Sequence, residues 1–148
     1  MLDRAFFRKL GIAVVKKYRQ HIFDGGKDVT GKKFKKYTSA YSKAKRAGDL
    51  RRQDGASKNS RAPWVSGDLK NDLQFQSPTK NSVKVGWAKE GGKIKYLSKL
   101  NRKVTTSSQP LPKGIIRYIM NEAKTTVKKK IKNKFPDGKV IRLPIGRK

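Results

Sequence analysis

Two stretches near opposite ends of the chain place an apolar residue at every fourth position. The first contains Leu2, Phe6, Leu10, Val14, Tyr18 and Ile22, and the second contains Ile115, Ile119, Ala123, Val127, Ile131 and Phe135. Residues four apart lie on the same face of an α-helix, and the positions between them are rich in lysine and arginine. The pattern therefore predicts two long amphipathic helices, whose apolar faces carry most of the core.

A second period, of two residues, occurs in the middle of the chain. Apolar and polar residues alternate over residues 73–76, and Val83, Val85 and Trp87 alternate with Lys84 and Gly86. The intervening residues 77–81 include a proline and an asparagine, which are typical of turns. This pattern predicts an antiparallel hairpin with one apolar face. Helices and hairpin together predict an α+β fold, with two long amphipathic helices packed on a small antiparallel sheet.

The chain has 148 residues, a length that fits one domain. We assign this domain to residues 1–135. Residues 47–62 are polar and basic, with Leu50 as the one large apolar side chain, and they predict a long basic loop. Such a loop is either functional or simply disordered. Residues 136–148 follow a helix-ending Pro-Asp-Gly sequence and predict an extended C-terminal tail. Its apolar residues are candidates for contacting a neighbouring subunit: Val140, Ile141, Leu143 and Ile145.

The formal net charge is +29, from 39 basic and 10 acidic residues. A charge of this size makes a polyanion the natural partner, with nucleic acid first and an anionic membrane surface second. The alternative is a lysine-rich composition that only keeps the chain in solution. The candidates for contact with DNA lie in and beside the basic loop: Arg46, Arg51, Arg52, Lys58 and Arg61.

The residues needed for catalysis or cofactor binding are missing or scattered. There is no cysteine, so disulfides and thiolate zinc sites are excluded. The carboxylates are dispersed rather than clustered for a divalent metal, and His21 is the one histidine. Lys32 is followed by Lys33 and not by the hydroxyl residue that a phosphate-binding loop requires. We therefore expect no enzyme activity, cofactor, metal or small-molecule substrate.

A membrane partner is not expected either, because the apolar runs are shorter than a membrane span. The basic, amphipathic N-terminus is shorter in its apolar part than a secretory signal, although it is compatible with an organelle transit peptide.

The stretch from Trp64 to Phe75 follows the polar, lysine-rich part of the chain and leads into the hairpin. Pro63 favours an extended entry, and Ser66 is placed to cap a short helical turn. Leu69 and Leu73 would share one face of that turn. We interpret this stretch as a structural anchor, in which Gly67 satisfies a backbone requirement.

Three short motifs follow one another in a set order. The first block comprises Gly31, Phe34, Tyr37, Tyr41 and Lys45, the second comprises Ser66, Gly67, Leu69 and Leu73, and the third comprises Val85 and Gly86. The aromatics of the first block could stack on single-stranded bases, but we favour packing of a loop onto the core. In order and spacing the blocks resemble the virion-morphogenesis, neck and tail-completion proteins of long-tailed bacteriophages.

The resemblance covers residues 28–135 and departs from the family pattern at residues 96–102 and 109–112. It implies an α+β fold and a structural role in the virion. Copies would form a homo-oligomeric ring at the head–tail junction, contacting portal or connector proteins, tail proteins and the packaged double-stranded DNA. Assembly would take place in the host cytoplasm. The alternative is a stand-alone protein, ribosome-associated or nucleoid-like, that binds nucleic acid independently of sequence.

Overall fold

A computed structural model describes residues 2–47 and 68–135 of the chain. The described elements are α1 (Arg4–Arg19), α2 (Ser39–Ala47), α3 (Asp68–Asp72), β1 (Leu73–Gln76), β2 (Lys84–Trp87), α4 (Gly91–Lys99) and α5 (Lys113–Lys134). The predicted α+β class is confirmed, with helices arranged around a small antiparallel sheet. The predicted C-terminal tail and most of the predicted basic loop lie outside the described residues.

The first amphipathic stripe forms α1, as its periodicity predicts. Asp3 caps the helix, because its Oδ1 accepts the backbone N–H of Phe6 at 2.8 Å. Beyond Arg19 the chain continues through a π-helical turn, Gln20–Asp24. The glycines that follow end the helix, and the left-handed conformation belongs to Gly26, with φ 60°.

The hairpin is also present. Strands β1 and β2 pair antiparallel, with Leu73 opposite Trp87 and Phe75 opposite Val85. In the connecting turn the Thr79 hydroxyl accepts the N–H groups of Asn81 and Ser82. The side chain of Leu73 is fully buried, so the inner face of the hairpin contributes to the core.

Helix α1 lies against this hairpin at Gly11. A Cβ added at Gly11 would be 2.9 Å from Cβ and Cγ of Phe75 and 2.9 Å from a methyl group of Val83. Glycine within a helix is unfavourable by about 1 kcal/mol relative to alanine. Its presence here allows the helix and the hairpin to approach more closely than any side chain would permit.

Nearly half of the buried apolar side chains come from α1 and the π-helical turn that follows it. These segments bury Leu10, Val14, Val15, Tyr18, Ile22 and Phe23. The Tyr18 hydroxyl donates to the backbone oxygen of Val104 at 2.6 Å and also lies 3.2 Å from that of Pro110. Burial raises the pKa of Tyr18 far above its ordinary value, so the hydroxyl keeps its proton. Residues 104–110 are thereby tied to the core although they form no regular element.

Helix α5 runs antiparallel to α1. Lys17 lies 4.5 Å from the centre of the Tyr118 ring, and at the other end Lys130 forms a 2.6 Å ion pair with Asp3. The helices contain 22 and 16 residues. At 1.5 Å per residue, α5 is about 9 Å longer than α1. Its last turns therefore extend beyond the start of α1.

The second stripe is consequently buried at its beginning alone. Ile115 is buried and Ile119 is half-buried, whereas Ile131 and Phe135 are 55% and 44% exposed. The expectation that both stripes carry the core is therefore wrong for the C-terminal half of α5. For Ile131 and Phe135 the physical reason is the difference in helix length, because Lys130 already lies beside Asp3, which precedes α1.

The Gly11 contact predicts that a glycine-to-alanine substitution changes the free energy of unfolding in opposite directions at Gly11 and at Gly114. Gly11→Ala should lower the free energy of unfolding, since overpacking costs about 1–3 kcal/mol and exceeds the gain in helix propensity. The obstructing Cβ atom of Phe75 is fixed by the backbone and cannot rotate away. Gly114 has no neighbouring heavy atom within 4 Å of an added Cβ. Gly114→Ala should therefore stabilise by about 0.5 kcal/mol. Denaturant midpoints measure both, and a stabilising Gly11→Ala would contradict the close approach.

A second pair of variants tests the burial gradient along α5. Ile115→Ala should lower the free energy of unfolding by about 2–4 kcal/mol, because it empties a packed site. Ile131→Ala should stay within about 0.5 kcal/mol of the wild type, as exposed positions do. The comparison is made by urea unfolding at a protein concentration low enough to exclude association. Equal losses at the two positions would show that the end of α5 is covered within the single chain.

Candidate functional site

The first motif block begins at a turn that needs glycine. The Oδ1 atom of Asp28 accepts the N–H groups of Thr30 and Lys32, each at 2.9 Å. Between them Gly31 has φ +94°, a conformation that L side chains rarely adopt. Gly31 is therefore explained by the backbone of the turn.

The aromatic residues of the first block pack around a buried arginine. Phe34 is fully enclosed in the core, and the rings of Tyr37 and Tyr41 lie 4.6 Å apart. The Arg102 guanidinium stands 3.8 Å from the centre of the Tyr37 ring and donates to the backbone oxygen of Lys35 at 2.8 Å. The prediction that these aromatics fasten the loop to the core is confirmed for Phe34.

Sequence reasoning did not identify Arg102, which is 6% exposed. Desolvation by burial lowers the pKa of its guanidinium, while the neighbouring tyrosines act in the opposite direction. Because an arginine starts from so high a pKa, the group still carries its charge at neutral pH. Its role here is to join the 34–41 segment to the end of α4. Nothing in the chain around Arg102 distinguishes it from the many exposed basic residues.

The second and third blocks belong to the hairpin and its approach. Leu69 and Leu73 are both buried, but Leu73 begins β1, so the expectation that the two leucines share one face of a helical turn is wrong. The Trp87 indole N–H donates to the backbone oxygen of Leu69 at 2.9 Å. Val85 is half-buried in β2, and an added Cβ at Gly86 would meet open space. Ser66 and Gly67 lie outside the described residues, as does the side chain of Lys45. Their roles stay predictions.

Asp72 makes a connection that its sequence context does not reveal. Its Oδ2 accepts the backbone N–H groups of Lys89 and Glu90, both at 2.8 Å. Desolvation would raise the pKa of this carboxyl, but the hydrogen bonds from Glu90 and Lys89 prevail and lower it. These hydrogen bonds therefore stabilise the folded protein at pH values above the ordinary aspartate pKa. The stabilisation is lost as the pH falls through the lowered pKa of Asp72. Asp72 joins α3 to the start of α4.

Exposed basic residues occur along the whole described part of the chain, and the two long helices carry many of them. On α5 the exposed members are Lys113, Arg117, Lys124, Lys128, Lys129, Lys132 and Lys134, and on α1 they are Arg4, Arg8, Lys9, Lys16 and Lys17. We call these residues the cationic surface. Within α5 itself Glu122 is the one acidic residue. The surface can attract phosphates without reading base sequence.

Of the five basic residues predicted to approach DNA, Arg46 lies within the described part of the chain. It is exposed near the end of α2. Arg51, Arg52, Lys58 and Arg61 lie outside the described residues. The apolar tail residues proposed for subunit contact also lie outside them: Val140, Ile141, Leu143 and Ile145. The cationic surface on α1 and α5 is thus an additional candidate for nucleic-acid contact.

Several large apolar side chains are exposed beside these charges. Tyr96 and Leu100, in and after α4, are 62% and 51% exposed, and Met120 on α5 is 53% exposed. At the overhanging end of α5 an open groove of about 560 Å³ is formed with the start of α1 and the hairpin turn. We call it the α5 groove. Its lining includes Leu2, Phe7, Asn81, Val127, Ile131 and Phe135.

Within residues 2–47 and 68–135 no three His, Cys, Asp or Glu side chains are grouped to hold a metal ion. The Nε2 atom of His21 lies 2.8 Å from the backbone oxygen of Asp28, which connects the imidazole to the neighbouring turn. No helix in the same ranges is long and apolar enough to cross a membrane.

Comparisons with protein-family models, with curated proteins and with solved structures found no match to this chain.

The Arg102 contact predicts that replacing a basic residue by methionine destabilises the protein at position 102 but not at position 103. Arg102→Met removes the ring contact and leaves the Lys35 carbonyl oxygen without its donor, so it should cost about 2 kcal/mol. The neighbouring Lys103 is exposed. Lys103→Met is the matched control and should change the free energy of unfolding by less than about 0.5 kcal/mol. Chemical denaturation compares the two variants, and indistinguishable midpoints would show that the arginine contact contributes nothing.

Proposed function

We propose that this protein is a structural component of a tailed-bacteriophage virion, which assembles as a ring around the DNA passage at the head–tail junction. The observation that carries the proposal is the combination found on α5, where a cationic surface adjoins an uncovered apolar stripe. The cationic surface suits a polyanion, and the apolar stripe suits a protein partner. The partners are further copies of this chain, the portal or connector and tail proteins, with packaged double-stranded DNA nearby.

The apolar stripe supports assembly because of how its residues are distributed. Single exposed apolar residues are normal on protein surfaces, but contiguous patches mark interaction sites. Val127, Ile131 and Phe135 follow one another along one face of α5 and border the α5 groove. A subunit that assembles would cover them. A ring requires such contacts to be heterologous, with different surfaces of two copies meeting at each junction.

The charge supports a position beside DNA. Contacts to phosphates neutralise charge and release counterions, so binding is independent of sequence and steeply dependent on salt. The order of the three sequence blocks supports the phage family in particular. Two of the structural features now described, the Gly31 turn and the buried Leu69–Leu73 pair, give physical reasons for residues in those blocks.

The second candidate is a stand-alone nucleic-acid-binding protein, and the net charge of +29 is the observation that favours it. Both candidates bind DNA without sequence preference. They differ in the fate of the exposed apolar stripe, since a stand-alone protein has no need to form a closed ring. Oligomeric state in the absence of nucleic acid therefore separates them.

The test is sedimentation velocity and negative-stain microscopy of nuclease-treated protein. We expect a defined ring that survives in about 1 M salt, where the Debye length is about 3 Å and exposed ion pairs are screened. The second candidate predicts a monomer under the same conditions, which associates when DNA is added. A monomer at every concentration, together with absence from purified particles, would overturn the ring proposal.

A DNA titration across salt identifies the surface that meets phosphate. Replacing Lys124, Lys128, Lys129 and Lys132 by glutamine should flatten the log–log salt slope by up to about 3.6, since each phosphate contact adds about 0.9. The matched variant neutralises Arg46, Arg51, Arg52, Lys58 and Arg61 in the loop. Both variants should leave ring formation intact. An unchanged slope in the α5 variant would remove that helix from the DNA-binding surface.

A further inference from the structure

We infer that the α5 groove of one copy receives the C-terminal segment of a second copy, with Ile141, Leu143 and Ile145 on the apolar stripe of α5. This inference rests on the proposed ring, and it names the two surfaces that meet at each junction. The groove is open, and five of its nine lining residues are apolar. These are Leu2, Phe7, Val127, Ile131 and Phe135. The segment that would occupy it begins directly after Phe135, which itself lines the groove.

The spacing of apolar residues matches between the two partners. Val127, Ile131 and Phe135 are four residues apart on a helix, so successive side chains are separated by about 6 Å. Ile141, Leu143 and Ile145 alternate with other residues, so in an extended chain their separation is about 6.6 Å. Three side chains on each partner would thus remain in step over about 12 Å along the groove.

The length of the chain permits the exchange. From Phe135 to Leu143 an extended chain covers up to about 28 Å, enough to leave its own subunit and reach another. Each copy carries one groove and one segment. Donation from each copy to the next is a heterologous contact, the kind that can close into a ring.

The charges on the two surfaces give this contact an unusual salt dependence. Lys80 and Lys134 border the groove, and Lys139 and Arg142 flank the apolar residues of the segment. Like charges therefore face each other around an apolar contact. Salt screens the repulsion and leaves the apolar contact intact. Association through the groove should strengthen as salt rises, whereas association through DNA should weaken.

The experiment uses two variants of the full chain. The groove variant carries Val127→Gln and Ile131→Gln, at exposed positions where the fold tolerates change. The segment variant carries Ile141→Gln, Leu143→Gln and Ile145→Gln, which preserve the charge. Each alone should lose assembly by at least about 100-fold in concentration, given the apolar surface removed. Val140→Gln, on the opposite side of an extended segment, is the control and should assemble like the wild type.

Mixing the two variants gives the decisive measurement. The groove variant still donates a normal segment, and the segment variant still offers a normal groove. Their mixture should therefore form a one-to-one complex in sedimentation velocity that neither variant forms alone, and it should do so more strongly in high salt. Failure of the mixture to associate would overturn the exchange between copies.

Other outcomes separate this inference from the proposed function. A ring that forms equally well from both variants would overturn the segment contact while leaving the ring in place. A wild-type monomer in which the segment substitutions increase the fluorescence of an apolar dye would place the segment on its own α5. That result would overturn the inference and the ring together.

Discussion

The contact between α1 and the hairpin at Gly11 is the constraint on which the rest of the fold depends. Phe75 and Val83 occupy the space that any side chain at position 11 would need. The resulting close approach places the inner face of the hairpin on the buried side of α1. Tyr18, two turns further along the same helix, then reaches the irregular 104–110 segment through its hydroxyl. One helix thus organises a hairpin and a loop that have little secondary structure of their own.

The hairpin occupies one side of α1, and α5 packs beside the same helix over part of its own length. The contact extends from the Lys17–Tyr118 pair to the Asp3–Lys130 pair, and α5 continues past it. The exposure of Ile131 and Phe135 is therefore a consequence of helix length rather than of a defect in packing. In the proposed ring this overhang has a use, since it offers an apolar surface that α1 does not cover. The same helix carries the densest part of the cationic surface.

The periodicity of the sequence predicts the elements well, because a repeat of four or of two reports directly on local geometry. It located α1, α5 and the hairpin, and it placed Leu69 and Leu73 in the core. A repeat identifies an apolar face but not what covers it, and for this reason the burial of the second half of α5 was predicted wrongly. The spacing of Ile131 and Phe135 is the same whether the partner is the same chain or another copy.

The candidate sites were harder to predict, because they depend on contacts between distant parts of the chain. Arg102 meets Tyr37 across more than sixty positions, and one buried arginine is indistinguishable by sequence among 39 basic residues. Asp72 likewise reads as a surface acid until the turn at Lys89 and Glu90 is placed beside it. The loop arginines, the Ser66–Gly67 pair and the tail lie outside the described residues. Their proposed roles therefore rest on sequence.

In the proposed ring, charge and apolar surface have opposite effects on assembly, and together they make it conditional. Copies that each carry +29 repel one another, and the repulsion acts over a Debye length of about 8 Å at physiological salt. The apolar contact at the end of α5 must overcome that repulsion. A polyanion lying along the cationic surface removes much of it, because its phosphates neutralise lysines on α5 close to the contact. In the proposed function DNA thus favours assembly where it is present, without being recognised by sequence.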